Sequence, residues 1–181
     1  MVIFFGPPGA GKSVQGQLLA ARHGWRWLST GQLLRDSHNP KLQEIMNRGE
    51  LVSDQDIDNV IDAALEQARD MENIILDGFP RKIEQAKWLI DNLGRYNRQI
   101  SAVISLEVSD KELYDRLHIR GRLDDTPENI AKRTKDYGDK TKPLIDYLAK
   151  YGACVLEVDG EGTVGTVHDR VELALELCSQ K

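Results

Sequence analysis

Short apolar runs alternate with longer stretches of helical period from one end of the chain to the other. Val2–Phe5, Arg26–Leu28, Asn73–Leu76, Ser101–Glu107 and Ala153–Val158 read as strands, because each is a brief run of β-branched, aromatic or aliphatic residues bounded by polar or glycine-containing segments. Between them the apolar positions recur at three- and four-residue spacing. Strand and helix in strict alternation predict an α/β fold, a five-stranded parallel sheet with helices on both faces. In such sheets ligands gather at the carboxyl ends of the strands, so the residues that follow each run carry the chemistry.

One interval breaks the rhythm. Between the second and third strands lie Thr30–Arg35 and two further helical stretches, about Pro40–Arg48 and Asp54–Arg69, more helix than a simple crossover needs. Residues 30–59 therefore read as a helical insertion over the sheet edge. The core is expected from 1–29, 60–119 and 125–181, in a single domain of 1–181.

The first strand runs straight into Gly6-Pro7-Pro8-Gly9-Ala10-Gly11-Lys12-Ser13, a full match to the phosphate-binding pattern G-x-x-x-x-G-K-[ST], and a helical stretch follows. Glycines let successive backbone N–H groups turn inward around an anion, and the helix adds its positive dipole end. Lys12 brings a mobile charge to the outer phosphates, and Ser13 a hydroxyl to a magnesium ion bound to them. The loop implies that a nucleoside triphosphate binds and leaves its fate open.

Asp77 ends the third strand, ahead of Gly78-Phe79-Pro80-Arg81. A carboxylate there serves either a magnesium ion and its water shell or the start of the helix near Lys82. Gly78 and Pro80 fix a tight path that aims Arg81 above the sheet. Arg116 and Arg120 share one helix face at i and i+4, and Arg122 follows Gly121; spacing alone fits an anionic ligand or a solvated face equally. Asp124 and Asp125 open the next helix or pair with these arginines, and Arg133 lies on that helix.

Composition narrows the partners. A 181-residue chain that is 40% hydrophobic can bury a full core, and a net charge of −5 with no basic run argues against a nucleic-acid surface. No apolar run approaches the roughly 18 residues of a membrane span, and the chain starts a strand at Val2 rather than a charged leader. Cys154 and Cys178 form no C-x-x-C pair, so two buried free thiols are expected, in a soluble protein of the reducing cytoplasm. His23, His38, His118 and His168 show no ligand spacing and are expected to be structural.

Five stretches together resemble the adenylate kinases, within the nucleoside monophosphate kinases: GPPGAGKS at 6–13, STGQLLR at 29–35, GELVSD at 49–54, LDGFPRKIEQA at 76–86 and DRLHIRGRLDDTPENIAKR at 115–133. YGACVLEVDGEGTV at 151–164 is similar to the family's last strand and base-contacting loop. The resemblance implies reversible transfer of the ATP γ-phosphoryl to AMP, giving two ADP, with Mg²⁺ required and a monomeric enzyme. It implies that Gly9, Ala10, Gly11, Lys12, Ser13 and Val14 cradle the ATP phosphates and that Gly162 lies against the ATP adenine.

On the acceptor side it implies AMP contacts from Thr30, Arg35, Glu50, Leu51, Val52, Gly78, Phe79, Pro80, Arg81 and Gln85. Arg116, Arg120, Arg122 and Arg133 match the family's phosphate-clamping arginines, the first two toward ATP and the last two toward AMP. Asp77 matches its magnesium–water ligand, and Asp124 and Asp125 its lid-hinge carboxylates. The chain departs from the pattern in four places. Ser13-Val14 stands for the usual Gly-Thr, Gln32 for an Asp and Glu50 for a frequent Lys, and the lid, residues 120–124, shrinks to a single glycine between Arg120 and Arg122. A pyrimidine monophosphate kinase is the alternative within the class, although Thr30 and Gln85 follow the adenine pattern rather than the Ala and Asn usual there; a catalytically silent nucleotide-binding module is the alternative outside it.

Overall fold

The computed structural model describes residues 1–48, 52–122 and 125–180. Five strands, β1 (Val2–Phe5), β2 (Arg26–Ser29), β3 (Ile74–Asp77), β4 (Ala102–Glu107) and β5 (Val155–Asp159), form one parallel sheet in the order β2-β3-β1-β4-β5. The strands fall where the apolar runs predict, within two residues. β5 starts late because Gly152 ends the preceding helix and the Ala153 N–H still bonds back to Leu148 O.

Nine α-helices are described: α1 (Lys12–His23), α2 (Thr30–Asp36), α3 (Pro40–Asn47), α4 (Asp54–Gln67), α5 (Ile83–Asn92), α6 (Asp110–Arg120), α7 (Pro127–Asp136), α8 (Lys142–Tyr151) and α9 (Val164–Ser179). Period-two alternation splits the sheet's side chains between two cores. Val2, Phe4, Ile75 and Ile104 pack with Leu19 of α1 and Val167 and Val171 of α9; Ile3, Phe5, Ile74 and Leu76 pack with α4, α5 and α8 on the other face. Leu34 of α2, Leu42 of α3, Ile57 of α4 and Val52 ahead of that helix join the second core, so α2, α3 and the start of α4 are seated on it through their apolar residues, and α4 runs unbroken from Asp54 to Gln67.

β1 connects onward across β3, and β3 connects back across β1, so the chain leaves these adjacent strands in opposite directions. A crevice opens at that point, beyond their carboxyl ends. The phosphate loop and Asp77 border it. No helix among the described residues is long and apolar enough to cross a membrane.

The two cysteines are not free thiols. Cys154, just before β5, and Cys178, at the end of α9, form a disulfide with Cα atoms 5.6 Å apart. α9 packs back along β5, which brings together residues 24 apart in sequence. Closing a loop of that length confines the unfolded chain, so reduction, or the Cys178→Ser change, is expected to lower the unfolding free energy by about 3 kcal/mol. Chemical denaturation with and without reductant measures this; an unchanged midpoint would contradict it.

Candidate active site

The phosphate loop owes its path to glycine. Gly9 sits at φ 89°, and a Cβ there would meet Leu117 Cγ at 3.0 Å and Leu113 O at 3.2 Å, so the loop lies directly on α6. Gly11 precedes α1, and no side chain caps that helix, which leaves its first N–H groups directed at whatever binds in the loop. Lys12 folds back over the loop, donating to Gly6 O at 2.7 Å and Pro7 O at 2.9 Å. Burial lowers its pKa to about 8; Asp77 pulls it up, and Arg81, Arg133 and Arg120 push it further down.

That ammonium is held at a cost which an anion relieves. A phosphate placed beside it is expected to restore the proton, so that binding takes up protons where the group has begun to lose them and affinity for a phosphate ligand falls as pH rises through about 8. Calorimetry at about pH 8.5, in buffers of different ionisation enthalpy, is expected to record uptake of up to about one proton per ATP bound. No uptake would contradict the assignment.

Asp77 is 3% exposed at the end of β3, and its Oδ2 accepts from the Ser13 hydroxyl at 2.6 Å. An anionic carboxylate and a hydroxyl beside a phosphate cradle form an all-oxygen donor set that suits Mg²⁺, which keeps waters and phosphates among its ligands. The residues present fit that ion. Val14 is half exposed at the cleft wall, so the hydroxyl that precedes it is the one engaged with Asp77.

Above the loop lies a cleft of about 550 Å³. It gathers Gly9, Ala10, Gly11, Lys12, Ser13, Val14, Arg35, Asp77, Gly78, Pro80, Arg81, Arg116, Arg120, Arg122, Arg133 and Gly162 from seven separate stretches of sequence. A smaller cavity beside it, sharing Gly31, Met46, Gly78 and Arg81, adds Thr30, Val52 and Gln85. Phe79 is not brought to either: its ring is buried in the core, edge-on to Trp88. Glu50, Leu51 and Asp124 lie outside the described residues.

The arginines rest on local acceptors. Arg81 Nε donates to Gly78 O at 2.8 Å, and its NH2 occupies the space that a Cβ on Gly78 would claim, 3.0 Å away. Gly78 itself holds φ 82°, a conformation that favours glycine. Arg116 pairs with Glu112 at 2.8 Å and donates to Gly160 O at 3.0 Å. Arg120 and Arg133 converge on Asp125, with Arg120 Nε at 2.7 Å and Arg133 at 3.3 Å, and the Arg122 N–H also donates to it. Burial raises the Asp125 carboxyl, but the hydrogen bond and charge of Arg120, with Arg133, outweigh it and hold the group below its usual range. Arg35 lies on Gln32, whose Oε1 accepts from it at 3.1 Å, so the residue that replaces the family's Asp still orients the arginine.

Other residues of the site went unread in the sequence. Asp136, at the end of α7, lines the cleft together with Tyr137, Lys140 and Thr141 from the π-helical turn, Tyr137–Thr141, that joins α7 to α8. Gly138 inside an otherwise helical pattern is the signal that marks this turn, since such insertions occur at functional sites. Gln15, on the first turns of α1, donates to Val164 O at 3.0 Å and holds His168 at 3.2 Å, which ties the loop around Gly162 to the phosphate-loop helix.

The family model for adenylate kinase matches residues 4–153. Among curated relatives, the adenylate kinase of Prochlorococcus marinus (strain NATL1A) is 41% identical over 180 residues, covering 96% of this chain and 97% of its own length. That of Synechococcus sp. (strain CC9311) is 41% identical over 94% of this chain and 96% of its own. That of Maricaulis maris (strain MCS10) is 40% identical over 97% and 98%.

Proposed function

The chain belongs to the adenylate kinase family, transferring the γ-phosphoryl of ATP reversibly to AMP to give two ADP, and we propose the residue roles by which its cleft does so. What carries the assignment is the convergence of Lys12, Arg81, Arg116, Arg120, Arg122, Arg133 and Asp77 over one phosphate loop.

In this reading the N–H groups from Gly9 to Val14 hold the ATP phosphates and the Gly162 loop meets the donor adenine. Lys12 leaves the carbonyls of Gly6 and Pro7 for the outer phosphates. Asp77 and Ser13 would hold magnesium through its water shell, and the ion, when bound, neutralises charge on the β- and γ-phosphates. Thr30, Val52 and Gln85, with the backbone at Phe79 and Pro80 and at the undescribed Glu50 and Leu51, bound the acceptor base. Arg35, Gly78 and Arg81 bound its phosphate, with Arg122 and Arg133 between the two nucleotides. The acceptor phosphate is already an anion, so no general base is required; forked guanidinium groups that meet the equatorial oxygens of the transferred group supply the catalysis.

Arg120 and Arg133 leave Asp125 as phosphate arrives, with residues 120–124 acting as a minimal lid and 30–59 as the mobile acceptor lobe. We propose a cytoplasmic monomer that meets neither nucleic acid nor membrane, in a compartment where the Cys154–Cys178 bond is open to reduction. Initial rates with ATP and Mg²⁺ against AMP, CMP, UMP and GMP test the acceptor reading. AMP is expected to exceed the pyrimidine acceptors in kcat/KM by about 10²-fold or more, because a wrong base leaves buried polar groups unpaired. Equal efficiency with CMP or UMP would overturn it.

A further inference from the structure

Gln85 lies in the first turn of α5, 4% exposed, on the wall of the smaller cavity. Its Oε1 accepts from the Arg81 main-chain N–H at 2.7 Å, and its Nε2 donates to Asp54 Oδ1 at 2.8 Å. Neither partner can exchange roles. A backbone N–H only donates and an ionised carboxylate only accepts, so together they fix which end of the amide is oxygen. Asp54 is itself anchored: Lys82 Nζ lies 2.9 Å from both of its oxygens, and it is the first residue of α4, where the helix dipole favours a carboxylate.

We propose that Asp54, acting through Gln85, decides which purine the acceptor site takes, by holding the amide in the orientation that reads adenine and barring the half-turn that would read a 6-oxo purine. This rests on Gln85 being the base contact described above. After its two structural bonds the amide keeps one N–H and one oxygen lone pair. Adenine presents an amino donor at C6 and an acceptor at N1, which match an amide oxygen and an amide N–H. Hypoxanthine, in the same position, presents an acceptor at C6 and a donor at N1, the reverse.

A free glutamine would turn over and accept either base. Here the turn breaks both bonds and sets the amide oxygen against the Asp54 carboxylate; Gln85 is 4% exposed, so water poorly replaces what its amide loses, although the Asp54 side chain itself is 41% exposed. Asp54 is thus a positioning residue for specificity, 31 residues from the side chain it orients.

IMP is the probe, because it differs from AMP only at C6 and N1 and adds no bulk. Wild-type protein and the Asp54→Asn, Asp54→Ala and Gln85→Met variants are assayed with ATP and Mg²⁺ against AMP and IMP. In both Asp54 variants the AMP-to-IMP ratio of kcat/KM is expected to narrow by about tenfold or more, chiefly through a gain with IMP. Asn suits the purpose because its own amide can meet either orientation of Gln85 on the Asp54 side, which leaves the Arg81 N–H alone to favour the adenine-reading one. A merely structural role would lower both substrates together, and since both are measured on one preparation, a partly unfolded sample cancels from the ratio. If Gln85→Met loses the preference while the Asp54 variants keep a ratio within about twofold of wild type, the orienting role is overturned. A ratio unchanged in Gln85→Met as well would remove Gln85 from base reading, and this inference with it.

Discussion

Replacing Arg81 with alanine is expected to lower kcat by about 10³ while the protein stays folded, because it deletes a preorganised cation aimed at charge that develops only in the transition state. Among the described residues the guanidinium is tethered by one bond, Nε to Gly78 O at 2.8 Å, on a backbone path set by Gly78 at φ 82°. Burial and the nearby Arg133 disfavour its charge, while Asp77 and Asp136 favour it. An arginine does not surrender its proton under such pressure, so the strain is relieved by an incoming anion instead. KM for AMP is expected to rise less than kcat falls. Initial rates over a range of AMP concentrations, alongside a thermal melt, separate the two; wild-type turnover in a folded Arg81→Ala protein would make Arg81 a bystander.

Lys12→Met is expected to lower kcat by roughly 10²–10³ and to raise KM for ATP, the scale on which one preorganised donor acts. Methionine keeps the aliphatic stem over the loop and removes only the ammonium. That ammonium rests on two carbonyls, Gly6 O and Pro7 O, which it can leave without stranding a buried charge. The same change should abolish the proton uptake that accompanies ATP binding near pH 8.5, since Lys12, lowered to about 8, is the group that gains the proton. Retained turnover together with retained uptake would place both properties elsewhere in the cleft.

Much of this site was legible because its chemistry sits in contiguous stretches. The strand, glycine loop and helix from Val2 to His23 declare themselves through a residue pattern with one physical purpose, and Asp77 through its place after a buried strand. Contacts between distant segments were not legible. Cys154 and Cys178 lack any local signature, and only the return of α9 along β5 brings their Cα atoms to 5.6 Å. Asp125 could have been a helix-start residue, and its grip on Arg120 and Arg133 emerges from the turn after Gly121. Phe79 shares a motif with Gly78 and Arg81, yet its ring is drawn into the apolar core beside Trp88, since burying an aromatic face outweighs proximity to the cleft. The π-helical turn at Tyr137–Thr141 hid inside what reads as one long helix.

The central claim is that donor and acceptor occupy one continuous site, with the arginines between them. The most direct test is a titration with a bisubstrate analogue, two adenosines joined by a five-phosphate chain, followed through backbone amide resonances. One analogue is expected to bind per chain. Amides of Gly9 to Val14 and of Gly162 should shift in step with those of Gly78, Arg81 and Gln85, and the Arg120–Arg122 amides should follow. Shifts confined to the phosphate loop and Gly162, with Gly78, Arg81 and Gln85 unmoved at saturation, would contradict a shared site.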